Sequence, residues 1–540
     1  MRLLDVLTRP VSARRGFAVR ARDGAILRTD HYATREPDAP TVLVRTPYGR
    51  GGLTAVAARV FAADGLHVVV SSCRGTGGST GRFDPMRHER DDGLDTVEWL
   101  RRQPWFTGRL GTFGVSYVGY TQWAIADVPE ISAMVTAITA SQFREPTYSG
   151  ESFSLYTTLA WASLIQAQAG PWLPNVVELL RGQPRLARAL RHLPLGEADQ
   201  VATGVEVEFF RRWLALAGGV PEADEYWSPV DHQPRLDRVT APVLMIGGWH
   251  DIFLPWQLRD YARLRAAGAR PHLTIGPWTH GSAGLMGTTV RDGLAFLGAH
   301  LRGSDPPSSG RPVRVHVANE GWREYEDWPP PSKGPRPWYL HGSGRLSSSS
   351  PSLSTVDSFR YDPADPTPSV GGPLLVANAA GPRDNRALEA RPDVLVYTAD
   401  PLEADLDAVG PVAATIHVRA SRPYFDLFVR LCDVEPDGVT SVGSADGRSL
   451  NVCDGLARVT PGRYPTAGDG TVAVEVAMWP AGHRFRAGHR LRLQVSGGAF
   501  PRYPRGAGTA DALATAIDLL PVEIEVHHDP DHPSAVHLPI

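Results

Sequence analysis

The chain has 540 residues, of which 42% are hydrophobic and 21% are charged, and its formal net charge at pH 7 is −3. This length is typical of about three globular domains. A nearly balanced charge excludes the basic footprint that nucleic acids or anionic membranes select. The three cysteines, Cys73, Cys432 and Cys453, show no C-x-x-C spacing. This count excludes a disulfide framework and favours a reducing compartment.

The chain shows no targeting or membrane-spanning segment. Residues 1–16 contain no apolar run long enough for a signal-peptide core, and no later segment approaches the length of a membrane span. We therefore expect a soluble, cytoplasmic protein that binds neither nucleic acid nor membrane. The oligomeric state is open, and a homo-oligomer is among the expectations.

The first elements predict one edge of a sheet. Residues 16–32 form two strands joined by Asp23-Gly24, a strong hairpin turn pair. Residues 41–45 and 68–71 are apolar runs typical of buried strands. The second run leads into the glycine-rich segment RGTGGSTG, but no G-x-x-x-x-G-K-[ST] pattern follows it, so we predict no nucleotide site.

Residues 88–102 predict a helix with acids in its first turn and arginines at its end. The acids and the histidine around its start could be taken for metal ligands: Asp84, His88, Glu89, Asp91 and Asp92. Acids that are exposed to water at a helix start explain them more simply. We therefore predict no metal site and no cofactor.

A strand, a sharp turn and a helix are predicted over residues 109–126, with Ser116 at the turn. A strand that must enter a helix within two or three residues holds its tip residue in a strained conformation. The turn lifts the hydroxyl clear of the sheet and places the next N–H where it can stabilise negative charge. The pattern is G-x-S-Y-x-G rather than G-x-S-x-G, because Val118 precedes Gly119. The alternative is a serine in an ordinary strand-to-helix turn.

Helical periods without strong strands fill residues 146–237, which predicts an inserted helical cap. Buried strands resume at 242–246 and 271–275, with a crossover helix at 256–267 between them. The alternation of strand, helix and strand is that of an open parallel sheet.

Two candidate partners of Ser116 follow these two later strands. Asp251 and His280 each lie just past a strand end, where side chains of a parallel sheet form sites. The chain order Ser, Asp, His is the one expected of a hydrolase triad on this type of sheet. His250 is the rival base, but it would have to act from the acid's own loop.

After about Gly303 a Pro/Ser/Gly-rich run marks a linker. Many short alternating strands follow it, beginning with VRVHVA, and predict an all-β sandwich or jelly roll. The predicted fold class is therefore α/β, an α/β-hydrolase sheet with an inserted helical cap, plus a C-terminal jelly roll. The predicted domains are the hydrolase domain (1–145 and 238–303), the cap (146–237) and the jelly roll (311–540).

Motifs along most of the chain resemble those of one family. They are RTPYGR, CRGTGGSTG, QPWFTGRLGTFGVSYVGY, PVLMIGGWHDIF and GPWTHG, followed by VLVYTADPLEADLDAVGPV, DLFVRLCDVEPDG and GHRLRLQVSGGAFPR. Together they resemble the cocaine esterase (CocE/NonD) family, which is similar to the X-Pro dipeptidyl-peptidases, glutaryl acylases and α-amino acid ester hydrolases. The resemblance implies the same hydrolase, cap and jelly-roll architecture.

The resemblance also implies roles for individual residues. Ser116 is the implied nucleophile, His280 the general base and Asp251 its partner. The hydroxyl of Tyr48 and the backbone N–H of Tyr117 are the implied oxyanion hole.

A second set of residues is implied for the substrate pocket. Trp161, Leu164 and Phe253 are expected to line an apolar cleft, with core packing as the alternative for all three. Glu145 and Glu151 lie near the region where peptidase relatives hold a substrate ammonium, but neither aligns with it.

These inferences predict a cofactor-independent serine hydrolase that cleaves a small-molecule ester, or an amide, through an acyl-serine intermediate. Within enzymes, the alternatives are an X-Pro dipeptidyl aminopeptidase and an α-amino acid ester hydrolase or acylase. The alternative of another class is a non-catalytic protein whose jelly roll binds a carbohydrate or a partner surface.

Overall fold

The computed structural model describes residues 11–168, 184–303, 310–332, 334–376, 378–436 and 447–540. A ten-stranded sheet comes first in the chain, followed by an eleven-stranded sheet and a two-stranded one. Among the residues in these ranges, no helix has the length and apolar character needed to cross a membrane.

The first sheet positions the candidate site. Its strands are β1 (Ser12–Arg20), β2 (Ile26–Ala33), β3 (Thr41–Thr46), β4 (His67–Ser72), β5 (Leu110–Val115), β6 (Ile131–Ala137), β7 (Val243–His250), β8 (His272–Thr279), β9 (Val313–Val317) and β10 (Gly321–Tyr325). Their order is β1-β2-β4-β3-β5-β6-β7-β8-β9-β10. All pairs are parallel except β1 with β2, β2 with β4, and β9 with β10. The predicted hairpin and the five predicted buried strands are confirmed.

Helices cover both faces of this sheet, as parallel strands require. They are Gly52–Ala63, Glu89–Arg101, Tyr117–Trp123, Leu254–Ala266 and Ala283–Arg302. The first and the last of them pack with one apolar cluster on one face, and the helices at 89–101 and 254–266 pack with the larger cluster on the other face. The predicted crossover helix between β7 and β8 is confirmed.

Two elements of the first sheet differ from the sequence prediction. The strand β6, which sits between β5 and β7, was not predicted at all. The segment VRVHVA, which we placed in the jelly roll, is instead β9 and pairs in parallel with β8. Its buried and half-buried residues alternate like those of any half-exposed strand, so the pattern cannot say which sheet the strand joins. The hydrolase sheet therefore extends past the predicted boundary at residue 303, as far as Tyr325.

Helices fill the region between β6 and β7 in which the cap was predicted. They are Arg144–Thr147, Ser149–Glu151, Leu155–Gln168, 184–191, Leu195–Glu197, Ala198–Thr203, Glu208–Ala215, Glu222–Trp227, Ser228–Val230 and Gln233–Arg238. The helical period predicted over 175–193 lies partly outside the described residues.

The C-terminal part is rich in β-structure, as predicted. Its strands are β11 (Pro335–His341), β12 (Arg345–Ser347), β13 (Val356–Tyr361), β14 (Val394–Thr398), β15 (Leu406–Gly410), β16 (Ala413–Ala420), β17 (Phe425–Val434), β18 (Ser449–Val459), β19 (Val472–Ala477), β20 (Ala481–Phe485), β21 (Arg490–Ser496), β22 (Val522–His527) and β23 (Ala535–Pro539), with short helices at Gly342–Gly344 and Arg386–Glu389. The large sheet has the order β13-β22-β16-β23-β11-β12-β14-β21-β17-β18, with β19 on β16, and β15 pairs with β20. We refer to this part as the β-domain.

Candidate active site

Ser116 stands at the corner between β5 and the helix Tyr117–Trp123, with φ of 56° and ψ of −126°. This left-handed backbone conformation is uncommon for a residue other than glycine. Glycines on either side permit the corner, since a Cβ on Gly114 would lie 2.4 Å from the side chain of Val118. A Cβ on Gly119 would lie 2.5 Å from Thr139. A glycine is therefore needed at position 119, where the helix packs against the chain after β6. This explains why the second glycine of the motif follows Ser116 by three residues rather than by two.

Three side chains from three strand ends meet in one hydrogen-bonded chain. The Nδ1 of His280 lies 2.6 Å from Oδ2 of Asp251, and its Nε2 lies 3.1 Å from Oγ of Ser116. Because a carboxylate only accepts, Nδ1 carries the proton and Nε2 accepts from the serine hydroxyl. Asp251 is fully buried, and its other oxygen, Oδ1, accepts from the backbone N–H of Phe253 at 2.8 Å. This arrangement can draw a proton from Ser116 as its oxygen attacks a carbonyl carbon.

Two donors lie beside the Ser116 hydroxyl. Tyr48 follows β3 in a tight turn, and its hydroxyl accepts from Nε1 of Trp161 at 3.1 Å. Burial raises the pKa of Tyr48 to about 12, while its hydrogen bonds with Trp161 and Ser116 act in the opposite direction. The phenol is therefore neutral at pH 7 and can donate to an oxyanion. The backbone N–H of Tyr117 is the first of the nucleophile helix, and a helix N-terminus favours negative charge.

The side chain of Tyr117 points away from the hydroxyl into a buried polar cluster. Its hydroxyl donates to Oε1 of Glu89 at 3.0 Å and accepts from the backbone N–H of Met86 at 2.7 Å. Glu89 in turn forms a buried ion pair with Arg45, at 2.6 Å. These hydrogen bonds hold the side chain of the residue that follows Ser116.

Two of the helix-start acids that we interpreted as exposed are buried. Glu89 is paired with Arg45, and Asp92 is paired with Arg74 at 2.6 Å. That interpretation was wrong for these two residues because the arginines that pair with them come from other parts of the chain, at the ends of β3 and β4. Asp91 is exposed, as expected.

Comparisons with known proteins show the family of the chain. The family model described as "X-Pro dipeptidyl-peptidase (S15 family)" matches residues 23–282, and the model described as "X-Pro dipeptidyl-peptidase C-terminal non-catalytic domain" matches residues 309–537. Cocaine esterase of Rhodococcus sp. (strain MB1 Bresler) is 32% identical over 96% of this chain and 97% of its own length. The chain belongs to the cocaine esterase (CocE/NonD) family of serine hydrolases.

Solved structures agree on the fold of this family member. An α-amino acid ester hydrolase superimposes with a TM-score of 0.81 at 22% identity, covering 98% of this chain and 96% of the other. An aminopeptidase from a marine sediment archaeon, Thaumarchaeota archaeon, superimposes with the same TM-score, identity and coverage. The protein is thus a serine hydrolase with an N-terminal α/β domain and a C-terminal β-rich domain.

Aromatic rings surround the triad-like cluster of this hydrolase. Trp161 lies between two rings that stack on it, with centroid distances of 5.7 Å to Tyr117 and 6.1 Å to Trp213. Phe253 lies 5.7 Å from the ring of His280. Leu164, on the same helix as Trp161, is 41% exposed to solvent. The structure thus brings Trp161 and Phe253 to the cluster, while a pocket role for Leu164 stays a prediction.

A cavity of about 640 Å³ opens beside Tyr48. Phe83, Phe209 and Ile165 contribute apolar surface to it, and the glycine-rich segment over residues 75–78 forms part of its wall. This glycine-rich segment, for which we predicted no nucleotide site, therefore lines the space next to Tyr48, a candidate oxyanion donor.

His250, the rival base, faces away from Ser116. It ends β7, is buried, and burial lowers its pKa to about 4. The charged groups that act on it, Asp454, His483 and Arg383, all belong to the β-domain.

The two cap acids near the cluster are paired with arginines. Glu145 forms a two-point ion pair with Arg259 and accepts from Nε1 of Trp256 at 3.0 Å. Glu151 lies 3.6 Å from Arg463. Because each carboxylate already has a cationic partner, neither is a ready counter-charge for a substrate ammonium.

Proposed function

We propose that this serine hydrolase cleaves a neutral carboxylic ester through a covalent acyl-Ser116 intermediate. The observation that carries the proposal is the continuous chain from Ser116 Oγ to His280 Nε2, at 3.1 Å, and from His280 Nδ1 to Asp251, at 2.6 Å. It starts at a corner whose backbone is strained and whose next N–H is at a helix N-terminus.

The proposed acylation step uses five groups. As Oγ of Ser116 bonds to the ester carbonyl carbon, Nε2 of His280 takes the hydroxyl proton, and Asp251 holds the imidazolium in place. The carbonyl oxygen becomes an oxyanion that accepts from the Tyr48 hydroxyl and the Tyr117 N–H. The tetrahedral intermediate then breaks its bond to the alcohol oxygen, which leaves with the proton from His280.

The proposed deacylation step repeats this chemistry with water. His280 takes a proton from a water molecule as the water oxygen attacks the acyl carbon. The second oxyanion collapses, the bond to Ser116 breaks, and His280 returns the proton to Oγ. The products are a carboxylic acid and an alcohol, and the side chains return to their starting state.

The environment of the cluster favours an ester with an apolar, ring-bearing group. Trp161 and Phe253 present aromatic surface next to Ser116 and His280. The cap acids Glu145 and Glu151 are neutralised by arginines. An X-Pro dipeptidyl aminopeptidase needs a counter-charge for a free amine, so these pairs count against that alternative. Membership of a serine hydrolase family counts against the non-catalytic binding protein.

Labelling with a fluorophosphonate probe tests the nucleophile. Wild-type protein should be labelled at one site, and Ser116→Ala should be spared. Thr355→Val is the matched control and should be labelled like wild type. It removes a hydroxyl that is hydrogen-bonded to His528, a histidine of the β-domain. Equal labelling of wild type and Ser116→Ala would refute the assignment.

A substrate panel tests the preference for esters. We expect turnover of p-nitrophenyl acetate, butyrate and benzoate to exceed that of Gly-Pro and Ala-Pro p-nitroanilides. Faster release from the anilides, with loss of that activity when the substrate amine is acetylated, would instead establish the peptidase. Glu145→Gln should leave the ester rates close to wild type in either case.

The compartment and the assembly stay predictions. All three cysteines are free and buried, which supports a reducing, cytoplasmic location. We expect no nucleic-acid partner from the balanced charge, and the oligomeric state is to be measured by light scattering.

A further inference from the structure

The segment HHDPDHP, which starts at the last residue of β22 and continues into the next loop, gathers metal-ligating side chains in the β-domain. One ligand atom each of His527, Asp529 and His532 lies within 4.8 Å of the other two. The Nδ1 of His532 is 3.2 Å from both carboxylate oxygens of Asp529. Neighbouring ligands of a tetrahedral Zn²⁺ are separated by about 3.4 Å. One edge of such a site is therefore already formed.

A third imidazole stands next to this group. His417 of β16 is the register partner of His527 in β22, and side chains of directly paired residues lie on the same face of a sheet. The ring centroids of His417 and His527 are 5.5 Å and 5.6 Å from that of His532. A third imidazole ring therefore stands beside the group of His527, Asp529 and His532 in the β-domain.

One ring nitrogen of His527 is buried without a hydrogen-bond partner in the described part of the chain. The residue is only 8% exposed, and its Nε2 has no hydrogen-bond partner among the described residues. The carboxylate nearest to it, that of Glu525, is 3.7 Å away, too far for a hydrogen bond. A buried polar atom without a partner is costly, and a bound ion is one way to satisfy it.

Charged side chains also surround the group. The guanidinium of Arg419 acts on His527. Arg419 is itself paired with Glu525 at 2.7 Å, so its repulsion of a cation is reduced. Glu475 also acts on His417 and adds negative charge nearby.

We propose that His527, Asp529 and His532 bind a divalent transition-metal ion, Zn²⁺ by preference, with His417 as the fourth ligand. Imidazole nitrogens and one carboxylate are a donor set that suits Zn²⁺.

His532 is set up to present Nδ1 to the metal. When Nδ1 binds, the ring proton moves to Nε2, which lies 3.4 Å from Oδ2 of Asp469. A carboxylate behind a ligating histidine fixes its tautomer and its orientation.

The proposed ion fastens the end of the chain to the β-domain. His527 ends β22, His532 lies in the loop before β23, and His417 belongs to β16, with which both strands pair. The ion therefore has a structural role that is independent of the chemistry at Ser116. A sequence pattern could not add His417 to the HHDPDHP segment, because His417 and His527 meet only through strand register.

Metal titration of the full-length protein tests the proposal. The protein is stripped with a chelator, transferred to metal-free buffer and titrated with Co²⁺, which reports tetrahedral coordination by visible absorption. Zn²⁺ competition and elemental analysis then give affinity and stoichiometry. We expect one equivalent per chain, at least tenfold weaker binding by His532→Gln and His527→Gln, and a Tm of wild type that rises with Zn²⁺.

A matched control separates this site from adventitious histidines. His192 forms an exposed pair with Glu197 in the cap, so His192→Gln should bind metal like wild type. The partly exposed His532→Gln should retain the ester turnover and the metal-free Tm of wild type, which shows that it folds. Failure of wild type to bind one equivalent would overturn the proposal, as would wild-type affinity in His532→Gln.

Discussion

Within the described part of the chain, a hydroxyl, an imidazole and a carboxylate are hydrogen-bonded in series at two places, one in each half of the molecule. In the hydrolase domain, Ser116 and His280 are 3.1 Å apart and His280 and Asp251 are 2.6 Å apart. In the β-domain, Thr355 Oγ1 lies 2.6 Å from Nδ1 of His528, and Nε2 of His528 lies 2.8 Å from Asp357. By these distances alone, the second chain is as good a triad as the first.

The surroundings of the two hydroxyls differ. Ser116 has a positive φ at a strand-to-helix corner, whereas Thr355 has no positive φ and precedes an ordinary edge strand, β13. The hydroxyl of Tyr48 lies beside that of Ser116. In the β-domain, the hydroxyl of Tyr397 instead donates to the carboxylate of Asp357, at 2.9 Å. Backbone geometry and placed donors, rather than hydrogen-bond lengths, distinguish a hydrolase site from a satisfied buried histidine.

Paired Asp→Asn substitutions should separate the two chains most sharply. Asp251→Asn presents an amide to His280 and favours the wrong tautomer, so turnover of an aryl ester should fall about 10⁴-fold. Asp357→Asn should leave turnover within about twofold and lower the unfolding free energy by about 1–3 kcal/mol. Steady-state kinetics and denaturant unfolding of both variants measure this. A turnover loss of similar size in both would remove the distinction.

Tyr48→Phe removes the oxyanion donor for which the Thr355 chain shows no counterpart. We expect kcat to fall about 10²–10³-fold, because the lost bond strengthens only as the oxyanion forms. KM should change little, and the unfolding free energy should stay close to that of wild type. Tyr397→Phe is the control in the β-domain and should keep its kcat. An unchanged kcat in Tyr48→Phe would exclude Tyr48 from the oxyanion hole.

The candidate hydrolase site could be predicted from local sequence, because each of its three side chains follows the end of a strand. Ser116, Asp251 and His280 could be placed without knowing any long-range contact, since parallel strands bring their carboxyl ends to one edge. The chain Thr355–His528–Asp357 could not be predicted, because β13 and β22 are far apart in sequence and meet only in the folded sheet.

The errors have the same physical origin. The strand β9 was assigned to the wrong sheet, because the alternating pattern of a half-exposed strand is the same in any sheet. Glu89 and Asp92 were interpreted as exposed because their arginine partners come from other elements. Partner identity in a folded chain is a long-range property, and a local pattern does not contain it.

A third imidazole, that of His250, can be compared with those of His280 and His528. His250 precedes Asp251 in the chain. Burial lowers its pKa to about 4, below the unfolded value, so its contribution to stability is present above pH 6.5 and is lost as pH falls through 4. His250→Gln should therefore flatten the decline in unfolding free energy over this window by about 1 kcal/mol per pH unit. Its ester turnover at pH 7 should stay near wild type.

Denaturant unfolding at a series of pH values measures this effect. His192→Gln, in the exposed pair of the cap, serves as the control and should follow the wild-type curve. If the unfolding free energies of wild type and His250→Gln fall in parallel with pH, His250 has the same pKa in the folded and the unfolded state.

Trp479→Phe tests how far the β-domain supports the acid of the hydrolase domain. Nε1 of Trp479 donates to the backbone carbonyl of Asp251 at 3.0 Å, and the buried guanidinium of Arg502 lies 4.6 Å from its ring. The substitution keeps an aromatic ring but removes the N–H donor together with part of the indole. We expect the lost hydrogen bond, worth about 1 kcal/mol, to lower kcat about fivefold with KM unchanged.

A purely structural role for Trp479 predicts a different result. It would lower Tm without separating kcat from KM, and Trp338→Phe in β11 shows what an indole-to-phenyl change does elsewhere in the same domain. If Trp479→Phe alone lowers kcat, the β-domain contributes to catalysis by holding Asp251 where His280 can use it. Among the described residues, Thr355, His528 and Asp357 receive no side-chain hydrogen bond from the hydrolase domain. The same experiment therefore separates a histidine whose acid is held by a second domain from a histidine that is only buried.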